Sequence, residues 1–227
     1  MKGMVVRLIS GASIESWFAL PNRRKLKTKE PFFMDALLEK YNDYLKLVGC
    51  KLVYTLDNKQ IIEVCFKEDS FLHLLGIHKL IDISIVQQWL DKSNYKVKNK
   101  DVIRFIKTGR FTDSMVKNSV FFKDIEDRYN SFSYETLSTL SYTDAIINFN
   151  PKLLNSKLLS DYILFEKDEN NEYNHMAIAY DQKINQRYLE SFFHETGDSY
   201  INGQIVVKIC KYELINANNE IIFYDEF

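Results

Sequence analysis

Tyr188–Ile209, YLESFFHETGDSYINGQIVVKI, decides the fold class. Two runs of β-forming residues flank a turn cluster, Thr196-Gly197-Asp198, and their close spacing leaves room only for a hairpin. The same texture extends to both sides. AIINF, DYILFEK, HMAIAYD, RYLESFFHE, QIVVKICKYEL and EIIFYDEF are β-rich runs joined by short polar clusters such as DENNE, TGD and NANNE. Sequential hairpins of this kind predict a C-terminal sheet that is mostly antiparallel.

Toward the N-terminus the texture changes. Ser70 stands where it can cap FLHLLGIHKL, and Asp82 or Ser84 where it can cap ISIVQQWL. Asn99-Lys100-Asp101 precedes VIRFIKTG, and FFKDIEDRY and YETLSTL follow, so Asp69 to about Leu140 reads as helical. Leu52–Leu56 and Gln60–Phe66 around Asp57-Asn58-Lys59 predict a hairpin. Ahead of it, Phe33, Leu37, Leu38, Tyr41, Tyr44, Leu45 and Val48 recur at helical spacing up to Gly49. The expected class is α+β: an N-terminal helix and β-hairpin, a helical middle and a C-terminal mostly antiparallel sheet. Residues 1–31, with a short element at Met4–Ile9 and a basic run of Arg23, Arg24, Lys25, Lys27 and Lys29, read as an extension. Residues 32–227 read as one domain.

Composition narrows the function classes. Hydrophobic content of 46% with 27% charged residues is that of a globular chain, not a disordered one. A net charge of −1 gives no global basic field, so any nucleic-acid binding must rest on local patches. Cys50, Cys65 and Cys210 are odd in number and fit no metal spacing; buried, reduced thiols in a cytoplasmic protein are expected. Arg7 interrupts the first apolar run, and no stretch approaches the ~18 apolar residues of a membrane span. There is no P-loop, GxGxxG, HExxH, CxxC pair or GxSxG, so neither a cofactor nor a metal is expected.

Phe71–Leu80, FLHLLGIHKL, carries two of the four histidines and is followed within itself by Lys79. Imidazole exchanges protons near neutral pH, and an ammonium stabilises a developing phosphorane. That set suits RNA cleavage in which the 2′-OH attacks its own phosphate without a metal. On a continuous helix, however, His73 and His78 lie about 140° apart and do not converge. Either Gly76 breaks the helix, or one histidine is structural. His78 with Lys79 is the favoured pair, with His73 as packing.

The run F-x-H-L-L-G-I-H-K-L, after a strand ending EVCFKED, resembles the signature region of the phage-associated barnase–EndoU–colicin–RelE-like (BECR-fold) nuclease families, in particular the fourth. YLESFFHETGDSYINGQIVVKI is similar in layout to that family's C-terminal strands, and the likeness spans roughly residues 35–212. It implies a metal-independent RNase of a toxin or phage-conflict system, with helices ahead of an antiparallel sheet. Its implied site residues are His73, His78 and Lys79, with Ser191 more loosely.

Other residues complete the candidate set. Strand alternation places Glu190, Phe192 and His194 on one face, and a Glu–His pair there serves as a general base or as a solvated edge. Thr196 and Tyr200 can donate to phosphate. His175 opens a strand beside an acidic loop and reads as a surface residue. Lys98, Lys100, Arg104, Lys107 and Arg110, with Lys92 and Lys96 and with Tyr95, Phe105 and Phe111 interleaved, can grip an RNA backbone or form a solvated helix face. Acidic residues gather elsewhere, in Glu166–Glu172 and in the YDEF at the end.

The leading expectation is an endoribonuclease acting on RNA. In it His73 or His78 is the acid or base, Lys79 with Arg110 or Arg187 stabilises the phosphorane, and Ser191 or Thr196 orients the phosphate. A cognate antitoxin or host protein is an expected partner, and a membrane is not. The alternative is a non-catalytic, phage- or mobile-element-encoded protein that binds a host protein or nucleic acid as an inhibitor or antidefence factor. An ADP-ribosyltransferase lacks its Arg…Ser-Thr-Ser…Glu set.

Overall fold

A computed structural model describes residues 34–227 except Tyr95 and Asn155. The Met4–Ile9 element, the basic run from Arg23 to Lys29, Phe33 and Tyr95 lie outside the described residues. Helix α1 (Ala36–Leu45) begins at Asp35, whose carboxylate accepts the Leu37 N–H at 3.0 Å. It buries Leu37, Tyr41 and Tyr44, the i, i+4, i+7 face that the spacing requires. Strands β1 (Lys51–Leu56) and β2 (Ile61–Cys65) then pair antiparallel as a hairpin.

Between β2 and β3 come six short α-helices: α2 (Phe71–Leu74), α3 (Ser84–Leu90), α4 (Asn99–Lys107), α5 (Asp113–Lys117), α6 (Glu126–Ser131) and α7 (Tyr134–Ser138). The remaining strands are β3 (Asp144–Ile147), β4 (Ser160–Lys167), β5 (Tyr173–Asp181), β6 (Gln186–Glu195), β7 (Ile205–Ile215) and β8 (Ile221–Glu226).

The expected fold class, a helical middle followed by a separate, mostly antiparallel C-terminal sheet, is corrected by the strand order; the β1–β2 hairpin is present but belongs to that same sheet. All eight strands form one sheet in the order β1-β2-β6-β5-β4-β3-β7-β8, and β7 also pairs with β1. Seven strands therefore close into a barrel. Closure rests on the length of β7. Ile205–Lys208 pairs with β3, while Ile209–Ile215 reaches β1, for example Tyr54 opposite Tyr212. The ring is completed by a single parallel bridge, Cys65 opposite Tyr188, between β2 and β6. Register shifts in β1–β7, β4–β5 and β5–β6 add the local twist that curls a sheet.

The helices fill the concave side. The main core joins Leu52, Tyr54, Ile62 and Val64 to Leu164, Met176, Ile178 and Leu189 of the later strands, and to Phe71, Leu74, Val102 and Tyr129 of the helical stretch. A second cluster, Ile146, Phe149, Ile163 and Phe165, lies on the opposite face of the sheet, with Phe193 and Tyr200 packed on it. Among the described residues no helix is long and apolar enough to cross a membrane.

Candidate active site at the histidine turn and the adjoining cleft

FLHLLGIHKL does not form one helix. The 3₁₀ turn Glu68–Ser70 leads into α2, and a second 3₁₀ turn spans Ile77–Lys79. Ser70 makes no side-chain cap. Gly76 stands between them with φ +85°, a left-handed conformation that stops the helix. A Cβ at Gly76 would also lie 2.7 Å from Cγ2 of Ile125, so this position excludes a side chain on two counts.

The reversal brings the two histidines together. Their rings stack with centroids 4.0 Å apart and planes 18° from parallel. His73 is exposed and His78 half-buried, the reverse of the expectation that His78 is the working residue and His73 packing. Burial pushes His78 down to about 4, helped by His73, Arg128 and Lys79. Burial also lowers His73, with Arg128 acting the same way and Glu190 pulling back. Both shifts favour the neutral imidazole, and the Nδ1 of His78 is buried without a hydrogen-bond partner among the described residues.

Arg128 on α6 was not among the sequence candidates. One guanidinium nitrogen, Nη2, donates to the Phe192 carbonyl of β6. The other, Nη1, is buried with no partner. Burial lowers the Arg128 pKa, and no carboxylate among the described residues offsets it. Its charge reaches both histidines, and it also lines a cleft of about 560 Å³ together with Lys79. A guanidinium with a free nitrogen beside an ammonium and two imidazoles is an arrangement chemically able to hold an anion.

The cleft opens on the concave face of the sheet. Leu164, Met176 and Phe192 are cross-strand neighbours on β4, β5 and β6. Two residues further along the same face comes a polar row, Glu166, Asn174 and His194. All three line the cleft with Tyr142, Phe132, Ser131 and Thr136. His194 pairs with Glu172 at 2.9 Å, not with Glu190. Glu190 is the extra residue at the β5–β6 register shift and accepts a hydrogen bond from Ser160. Asp168, Glu172 and His194 also bring ligand atoms within 4.8 Å of one another, a set able to hold a cation. Asp168 Oδ1 already accepts the Asn170 and Glu172 amides, and Glu172 is committed to His194.

The other sequence candidates lie elsewhere. Ser191 is opposite Ala177, one residue out of step with Phe192, so it faces away from the cleft. Thr196 is exposed in the turn after β6. Arg187 stacks at 5.0 Å on Tyr162 and lies 3.7 Å from Asp161, near the far end of β6. Seven residues of strand, roughly 20 Å, separate it from His194. On α4, Arg104 pairs with Asp101 at 3.1 Å, and Lys107 with Glu68 at 3.8 Å. Arg110 lies 4.3 Å over the Phe105 ring, while Lys98 and Lys100 are exposed. None of these five is among the residues lining the cleft, nor are His73 and His78, whose link to it runs through Lys79 and Arg128. Phe105 and Phe111 are buried, which takes them out of any stacking platform for bases. His175 is 1% exposed, contrary to its reading as a surface residue, and stacks on Phe193 at 4.7 Å.

The phage Barnase–EndoU–ColicinE5/D–RelE-like nuclease 4 family model matches residues 36–226. No curated protein and no solved structure matches the chain. The matched region holds the whole histidine turn, Arg128 and every strand of the barrel, and the chain belongs to this phage-associated nuclease family.

Proposed function

We propose that the protein is a metal-independent endoribonuclease whose reacting phosphate sits between the histidine turn and Arg128. The observation that carries this reading is the stacked His73–His78 pair beside a buried guanidinium that has no acidic partner among the described residues. His73, the exposed ring, takes the proton from the 2′-OH as that oxygen attacks phosphorus, and Glu190 favours the imidazolium that forms. Lys79 and the free Nη1 of Arg128 hold the non-bridging oxygens as charge builds on the phosphorane. The P–O5′ bond then breaks, the 5′-oxygen recovers a proton from the imidazolium, and a 2′,3′-cyclic phosphate remains. The family's phage association supports a role in a toxin or phage-conflict system, opposed by a cognate antitoxin.

The test is cleavage of a labelled RNA in EDTA with analysis of product ends. Cleavage persists, products carry a 2′,3′-cyclic phosphate, and Arg128→Met lowers the single-turnover rate about 10²- to 10³-fold. Loss of all activity in EDTA, with the Asp168–Glu172–His194 cluster as the place a cation would occupy, overturns the mechanism. So does a fully active Arg128→Met variant. RNA binding without cleavage by the intact protein favours the non-catalytic alternative.

A further inference from the structure

β8 is the strand that the closed barrel leaves outside. Its only partner among the described residues is β7, so its far edge is free. The Phe227 N–H donates to the Cys210 carbonyl of β7 at 2.9 Å. Antiparallel ladders alternate bonded and non-bonded pairs, so Tyr212–Asp225 and Leu214–Phe223 are also bonded pairs. Tyr224 and Glu226 therefore turn their N–H and C=O groups outward. Ile221, Ile222, Phe223 and Tyr224 are exposed in succession, with Phe227 beyond them. No lysine, proline or charge guards those four, although such residues are the usual protection of an edge. The register shift beside Ile222 leaves Phe223–Glu226 in regular pairing. The other incomplete edge, where β2 and β6 share a single bridge, is guarded. Lys51, Glu63 and Arg187 line it, and Arg128 caps the Phe192 carbonyl.

A second copy of the chain fits this edge in a symmetric register. A two-fold axis normal to the sheet at Tyr224 sets that residue opposite its own equivalent, and each outward N–H meets the other copy's C=O. Phe223 then stands opposite Asp225 of the second copy, and Ile222 opposite its Glu226. The two Tyr224 rings become direct cross-strand neighbours, and the two Phe223 rings diagonal ones within aromatic reach. No like charges stand directly opposite. The two Asp225 lie on a diagonal of about 8 Å, one screening length at physiological salt, and the two Glu226 about 13 Å apart along the strands. Each Glu226 also faces Lys211 of its own chain. The acidic end of the strand, by contrast, repels a nucleic acid backbone.

We propose that β8 is a dimerisation edge: two copies of the protein pair β8 with β8, antiparallel about Tyr224, and join their sheets into one. The cleft is lined by no residue of β7 or β8, so both clefts stay open in the pair. The pairing stands independently of the nuclease reading.

The experiment is sedimentation equilibrium of the full chain from about 1 to about 500 µM, a range that spans weak and moderate association. The mass rises with concentration from that of one 26.9 kDa chain to that of two. Half-association falls between about 1 and 100 µM, as suits an interface of strand-edge size. Tyr224→Pro removes the outward N–H without breaking a bond to β7, and Tyr224→Lys sets two like charges at the axis. Each weakens association by about 10-fold or more, and thermal melts report whether the fold is kept. Where Tyr224→Pro lowers the melt, Tyr224→Lys decides. A chain that stays monomeric throughout overturns the proposal, as does a dimer that Tyr224→Lys leaves intact. Growth past two copies into open-ended species also overturns it, since the edge then pairs without the two-fold axis.

Discussion

His78 and His175 are alike by the measure most often used to flag a working histidine, yet their surroundings differ. Burial holds each at about 4, and each has buried ring nitrogen without a hydrogen-bond partner. His175 is one of the residues lining the cleft, but its ring is buried on the convex face of the sheet, stacked on Phe193 with Tyr200 5.7 Å away. Its Nε2 is 3.2 Å from Glu195 but out of line for a hydrogen bond. Glu195 is spent on Ser199 and Tyr200, whose amides and hydroxyl it accepts, so burial outweighs its attraction for a proton on His175. His78 instead stacks on an exposed second imidazole and feels Lys79 and Arg128. A depressed pKa alone therefore records desolvation. On the proposed mechanism, the uncompensated positive charge of Lys79 and Arg128, which line the cleft, is what separates the histidine turn from the packed His175.

The largest expected effect is on activity. His73→Ala lowers the rate of RNA cleavage by about 10²- to 10⁴-fold, the usual share of a general base. His78→Ala also impairs cleavage by removing the stacking partner that orients His73. His175→Phe, which keeps an aromatic ring in an aromatic cluster, stays within a few-fold of the parent. Single-turnover rates for the three variants, with circular dichroism to confirm folding, check this. A His175→Phe loss as deep as that of His73→Ala erases the distinction between the two regions.

Acid stability comes next. In the unfolded chain both histidines titrate near 6.5. Their folded values lie lower, so below that pH the unfolded state binds more protons and stability falls as the solution is acidified. The contribution is whole above about pH 6.5 and is lost toward pH 4. For the sealed His175 this amounts to about 1–3 kcal/mol; for the half-buried His78 solvent screening makes it smaller. Urea unfolding at pH 7 and pH 4.5 should show His175→Phe abolishing the larger part of the difference. If instead His78→Phe does so, the convex cluster is not the sealed one.

What the sequence made legible tracks local interactions. Alternation located the strand runs, and α1 lies where its apolar spacing required. The barrel was not legible, because β1 meets β7 across some 150 residues of chain, and hairpin spacing reports only neighbours. FLHLLGIHKL was half legible. Helical geometry correctly made convergence of its histidines conditional on Gly76, but exposure, which favours His73 over His78, depends on the packing of α6. Arg128 sits in DIEDRY, beside acids that suggest a paired surface residue; nothing in that string says that its guanidinium meets the Phe192 carbonyl. Glu166 was counted only as part of an acidic tract, although its step from Leu164 already placed it on the core-facing side. His175 was misread for want of the residues that cover it, Phe193 and Tyr200.

The smallest effect tests the link that makes the histidine turn differ from the sealed region. Gly76 and Gly109 both have positive φ, +85° and +68°. A methyl group at Gly109 meets nothing within 4 Å, whereas at Gly76 it meets Ile125 at 2.7 Å. Each alanine substitution strains the backbone by roughly 1 kcal/mol, and only Gly76→Ala adds a packing cost, for a total of about 2 kcal/mol. Ile125 precedes the helix that carries Arg128, so relief of this contact shifts the guanidinium relative to the two rings. Gly76→Ala should thus lower both the melting temperature and the cleavage rate, and it should alter the imidazole proton shifts that report the 4.0 Å stack. Gly109→Ala should cost only the smaller stability term. Equal losses from the two, with the histidine shifts unmoved, mean that the turn is held by something other than the fit of Gly76 against Ile125.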